Sequence, residues 1–135
     1  MNAGAFLDHA IQYLEAGRRL SRTEPFVFKP TFYCAIHSVE LSLKGHLLHQ
    51  GTPPEALRRR GFGHNIDRLL EQALSNGALD SGVLDVFHQR AITMGSGDYS
   101  AKCFEYPESM YSTYPIGKWL RIAEALADGL KSKLT

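Results

Sequence analysis

Residues 31–50 constrain this chain more than any other stretch. Phe32, Ile36, Val39, Leu43 and Leu47 recur at spacings of 4, 3, 4 and 4, which is one stripe of an α-helix. Leu41 and Leu48 form a second stripe. A helix with two apolar stripes is packed on more than one side, so the spacing predicts a central helix with neighbours around it. Tyr33, His37, Glu40 and Lys44 fall between the stripes. Ionisable groups in that position are costly unless something pairs with them. Gly51 suits the C-terminal cap, and Pro53-Pro54 stop the helix from continuing.

The other segments follow the same period. A first helix is expected over 3–20, with Phe6, Leu7, Ala10, Ile11, Tyr13, Leu14, Gly17 and Leu20 inward. Pro25 and Pro30 bracket the connection to the central helix. A third helix is expected from His64 to Ser75, with Asn65 as N-cap. A fourth is expected over 81–94 with Leu84, Phe87, Ala91 and Met94 aligned, and a last one over 116–131 with Ile116, Leu120, Ala123, Ala127 and Leu130 inward. Residues 95–115 break the pattern. They hold Gly95, Gly97, Pro107 and Pro115 together with Tyr99, Tyr106, Tyr111 and Tyr114, and read as a lid or as a connection that covers one end of the bundle. No segment reads as a strand. The pattern predicts an all-α, antiparallel up-and-down bundle of four long helices plus a shorter extra helix, in a single domain over 1–135.

Charge excludes some functions. Fifteen basic and 14 acidic side chains leave a formal net charge of +1, which is no general footprint for nucleic acid. A phosphate-binding role would need a local patch, and Arg58-Arg59-Arg60 in a Gly-rich stretch is the one in this sequence. Cys34 and Cys103 make neither a zinc framework nor a disulfide scaffold, and read as reduced thiols. His37 with Glu40, and Asp85 with His88, are spaced like ligands on a helix face, but their order and number do not fit a di-metal bundle, so neither a metal nor a cofactor is expected. His46 and His49 are expected at the border of core and surface. The first residues lack a basic region followed by an apolar run, and no run approaches the ~18 residues of a membrane span. No signal peptide and no membrane association are expected, and cytoplasmic residence follows by elimination.

Glu40 and Lys44 stand four apart with Glu N-terminal, the favourable order for a salt bridge. A polar network of His37, Glu40, Lys44, His64 and Asp67, tying the second helix to the third, is therefore expected. The alternative for the same residues is a pocket for an anionic or nucleotide-like ligand, with Lys44, Arg58, Arg59, Arg60 and His64 on phosphate.

The run from Ala35 through His37, Glu40 and Lys44 to Leu47, followed by Gly63-His64-Asn65-Ile66-Asp67, resembles HEPN domains, the higher-eukaryote and prokaryote nucleotide-binding superfamily. Members often place a Glu four residues before a Lys in the second helix and open the third with Gly-His-Asp-Leu. Asp98-Tyr99 and Phe104-Glu105-Tyr106-Pro107 are similar to the Tyr and Arg-Tyr-Pro elements after the fourth helix, with Glu105 where an Arg is common. The resemblance implies the bundle described above and a homodimer packed through helices. Many members are metal-independent ribonucleases with an Arg and, four to six residues on, a His near the fourth helix. Arg90 lies in that region, but the seven residues after it contain no His. Arg59 and His64 match the spacing in a different element. The resemblance therefore implies a non-catalytic nucleotide- or nucleic-acid-binding or interaction module, of the kind found in toxin–antitoxin, phage-defence or stress systems. The alternatives are a ribonuclease that uses His64 with Arg59 or Arg90, and a dimerisation scaffold whose polar residues only specify packing.

Overall fold

The structure is a computed structural model that describes residues 2–59, 62, 64–80, 82–85, 88–93 and 116–135. Its elements are α1 (Ala3–Ser21), α2 (Phe28–Gln50), α3 (Pro54–Arg58), α4 (Ile66–Ser75), a helical segment α5 over residues 88–93, and α6 (Ile116–Leu134). There is no strand among the described residues. The expected segment 95–115, with Cys103 and its tyrosines, lies outside them.

Local chemistry accounts for most boundaries. The side chain of Asn2 accepts a hydrogen bond from the Ala5 N–H and caps α1, and Asn65 does the same for α4 through the Arg68 N–H. Gly51 closes α2 at φ 115°, a left-handed conformation that disfavours a Cβ. Replacing Gly51 with alanine should lower stability by about 1–2 kcal/mol in chemical denaturation, because no neighbour within 4 Å would compensate the strain.

Four boundaries differ from expectation. Helix α2 starts at Phe28 and takes Pro30 into its first turn, where the missing N–H has no helical acceptor to lose. Pro54 likewise opens the short helix α3, which was expected to be loop. Helix α4 begins at Ile66, so His64 precedes its cap. Residues 82–84 form turns where the fourth helix was expected, and Asp85 caps α5 by accepting from the His88 N–H.

Helix α2 is the centre, packed against α1, α6 and α4. Its buried face includes Phe32, Ala35, Ile36, Val39, Leu43 and Leu47. Two glycines permit the close approach of α1. A Cβ on Gly17 would lie 3.1 Å from Leu120 and 3.5 Å from the Cys34 Cβ, and one on Gly45 would run into Leu130 while lying 3.5 Å from the Phe6 Cβ. Between them the Ser38 hydroxyl donates to the Ala10 carbonyl at 2.7 Å.

These contacts fix direction. Ala10 faces Ser38 while Gly17 faces Cys34, so α1 and α2 are antiparallel. Trp119 meets Phe32 and Leu130 meets Gly45, so α6 runs in the same sense as α2. His64, just before α4, meets Glu40, and Asn76 just after it accepts from Gln50. Helix α4 therefore follows the second half of α2 in the same direction, a departure from strict up-and-down alternation. The cause is that α4 starts beside Glu40, in the middle of α2, rather than beside the C-terminal end of α2.

The inward faces of the outer helices also differ in part. Ile11 is 41% exposed. On α6 the buried side chains are Trp119, Ile122, Ala123, Leu126, Ala127 and Leu130, whereas Ile116 and Leu120 are half-buried.

Candidate functional site

Glu40 sits in the middle of α2 with 2% of its surface exposed. A carboxylate so placed must be neutralised or hydrogen-bonded. Lys44, one turn on, donates from Nζ to Glu40 Oε2 at 2.8 Å and is itself 13% exposed. His64 bonds Oε1 through Nδ1, also at 2.8 Å. His37 Nδ1 lies 3.8 Å from the same oxygen. One buried carboxylate thus gathers three nitrogen bases, two from its own helix and one from the stretch that opens α4.

The imidazole of His37 is further held by rings. Tyr33 stacks on it at 5.3 Å between centroids, and Tyr13 of α1 meets it edge-on at 4.4 Å. Burial lowers the pKa of His37 from its ordinary value, and the Glu40 carboxylate opposes that shift. Burial likewise raises the thiol pKa of Cys34, which makes it a poor nucleophile.

His64 is 51% exposed on its side chain, so it joins the buried carboxylate to the surface. Two backbone hydrogen bonds lie beside it: the Phe62 N–H donates to the Arg59 carbonyl, and the Asn65 N–H donates to the Phe62 carbonyl. Arg58 and Arg59 are exposed at the end of α3, and Arg68 is exposed in the first turn of α4. The Arg68 guanidinium lies over the Phe62 ring at 5.9 Å from the centroid. Arg60 lies outside the described residues. Glu55 and Asp67 are the acids of this region; Asp67 accepts from Thr93 Oγ1 at 3.0 Å and so joins α4 to α5.

Arg90 stands apart. It lies on α5 and lines an open groove of about 550 Å³ with Asp67, Leu70, Glu71, Leu74, Gln89 and Thr93. The carboxylates of Asp67 and Glu71 at that groove oppose an anionic ligand there.

Comparison with protein-family models, with curated proteins and with solved structures gives no match.

His37, Glu40, Lys44 and His64 are brought together, and Arg58 and Arg59 lie on the connection leading to them. Lys44 was a candidate for phosphate, yet its ammonium is engaged by Glu40 and mostly covered. Reasoning from sequence missed Arg68, although its position three residues after the N-cap places it in the first turn. It also missed the packing of Tyr13 on His37, for which nothing in the sequence is a signal, because the two rings come from different helices. His46 was expected at the border of the core and is fully buried. The reason is local: Gly129 of α6 leaves room for its imidazole, and a Cβ there would lie 3.5 Å from His46 Cε1. No helix among the described residues is long and apolar enough to cross a membrane.

Proposed function

We propose that this chain is a HEPN-type binding module that holds the phosphate groups of a nucleotide or an RNA without cleaving them, at the connection between α3 and α4. The observation that carries this reading is that exposed Arg58 and Arg59, half-exposed His64 and exposed Arg68 follow one another from the end of α3 to the first turn of α4. The positive end of α4 adds to the same field. Phe62, partly covered by Arg68, offers an apolar face beside the charges. Lys44 serves as the counter-ion that makes Glu40 tolerable rather than as a ligand contact. The same resemblance supports a cytoplasmic homodimer packed through helices, acting in a toxin–antitoxin, phage-defence or stress system.

The test is thermal denaturation with ADP and with a short single-stranded RNA at low and high salt. A ligand at a hundred times its Kd should stabilise by about 2.7 kcal/mol, which is a shift of several degrees. The shift should shrink with salt and be lost in the double variant Arg58→Gln, Arg59→Gln. A shift that survives both changes, or no shift at all, overturns the proposal.

One contact favours a second reading. Glu40 holds His64 by Nδ1, and a carboxylate on that nitrogen orients an imidazole for general base work through Nε2. A ribonuclease built on His64, with Arg59 at the scissile phosphate, would use this arrangement; Arg90, the other candidate, stands apart from it. Cleavage of mixed single-stranded RNA that disappears on His64→Ala would establish it in place of the non-catalytic module.

A further inference from the structure

A second polar cluster lies at the far end of α2. His46 is fully buried, and its two ring nitrogens face different partners. Nε2 is 2.9 Å from the Leu126 carbonyl of α6, an acceptor only, so this nitrogen carries the proton. Nδ1 is 3.0 Å from Lys133 Nζ in the last turn of α6. An ammonium only donates, so Nδ1 offers its lone pair and the imidazole is neutral. Lys133 also donates to the Ala78 carbonyl, in the connection after α4. One ammonium thus ties together the end of α2, the last turn of α6 and residues 76–80.

We propose that His46 and Lys133 form a proton-operated latch that holds the last turn of α6 and the 76–80 connection against α2, and that opens in mild acid. A protonated His46 has no lone pair at Nδ1, and it would set two cations 3.0 Å apart beside a fully buried ring. Lys133 must then leave, which breaks its tie between the last turn of α6 and the Ala78 carbonyl.

Among the described residues no acid faces His46. From α6 the group facing His46 is Lys133, and on α2 its titratable neighbour is His49, an exposed base. The 76–80 connection contributes a carbonyl, and its one acid, Asp80, is exposed. The near end of α1, Ala3 to Phe6, has no ionisable side chain. Burial first, and the Lys133 charge as well, lower the pKa of His46 from its ordinary value, although the Leu126 and Ala78 carbonyls oppose them. The sign follows. The latch is fully formed above the ordinary histidine value of about 6.5 and is lost as pH falls through the lowered one.

Hydrogen–deuterium exchange between pH 7.5 and 5, corrected for intrinsic exchange rates, tests this on the full chain. Peptides covering 76–80 and 130–134 should lose protection by about tenfold, the change that accompanies one linked proton over one pH unit. Peptides from the middle of α2 should not. His46→Gln keeps a donor for Leu126 and cannot take up the proton, so its protection should not change with pH. Lys133→Met should expose the Ala78 region at neutral pH already and remove the acid step. Loss of protection throughout the chain at once, or the same acid step in His46→Gln or Lys133→Met, overturns the latch. So does wild-type protection that stays constant across the range.

Discussion

Replacing Glu40 with alanine is expected to lower the stability of the fold by about 3–5 kcal/mol, the range for breaking a buried ion pair from one side. Both carboxylate oxygens are engaged, by Lys44 on Oε2 and by His64 on Oε1, and the residue is 2% exposed. Removing it leaves the ammonium of Lys44 in a mostly covered site with no counter-charge. Urea unfolding should show the loss as a lower midpoint at unchanged slope. His64→Ala should cost less, about 1–2 kcal/mol, because Lys44 still neutralises Glu40. The double change Glu40→Leu, Lys44→Met removes both charges together and should cost less than Glu40→Ala alone. If the double change cost as much as the sum of its parts, the two side chains would not be coupled and the account of a shared buried charge would be wrong.

Trp119→Ala is the second large effect, with an expected loss of about 3–5 kcal/mol. This is the single tryptophan of the chain, it has 0% exposure, and it meets Phe32 edge-on at 5.3 Å between centroids. It joins α2 to α6, which runs in the same sense. Its indole N–H is buried without a hydrogen-bond acceptor among the described residues, so part of its packing gain is offset by an unsatisfied donor. Trp119→Phe should therefore cost far less than the alanine change, under about 2 kcal/mol, because the smaller ring removes that donor. A phenylalanine variant as unstable as the alanine variant would mean that the N–H is satisfied. The same residue reports on its own surroundings: its fluorescence should be blue-shifted in the native state and move to the red together with the loss of helix.

The importance of α2 was legible because its two apolar stripes require neighbours on two sides. The caps were legible because they are local: Asn65 bonds an N–H three residues ahead, and Gly51 takes a backbone angle on its own account. The i,i+4 spacing of Glu40 and Lys44 likewise needs only one helix. The inward face of α6 was legible only in part: Ala123, Ala127 and Leu130 are buried as expected, and Ile116 and Leu120 are half-buried. Two candidate stripes overlap there, and the one with Trp119, Ile122 and Leu126 is buried because Phe32 and His46 of α2 present the matching surface. Ile11 was counted inward for the same reason, as periodicity ranks faces without knowing which has a neighbour.

The sequence by itself determined that the chain is helical, where its first and last helices start and where α2 and α4 stop, and that one helix carries charge into a buried setting. Those properties depend on residues within a turn of each other. Only the tertiary structure decided that α4 runs with α2, that Glu40 meets His64 from 24 residues away, and that His46 is clasped by Lys133 from 87 residues away. Such pairings depend on how the connections return the chain, and on glycines such as Gly17, Gly45 and Gly129 that let helices approach. Their energies belong to pairs of surfaces, so no single segment encodes them.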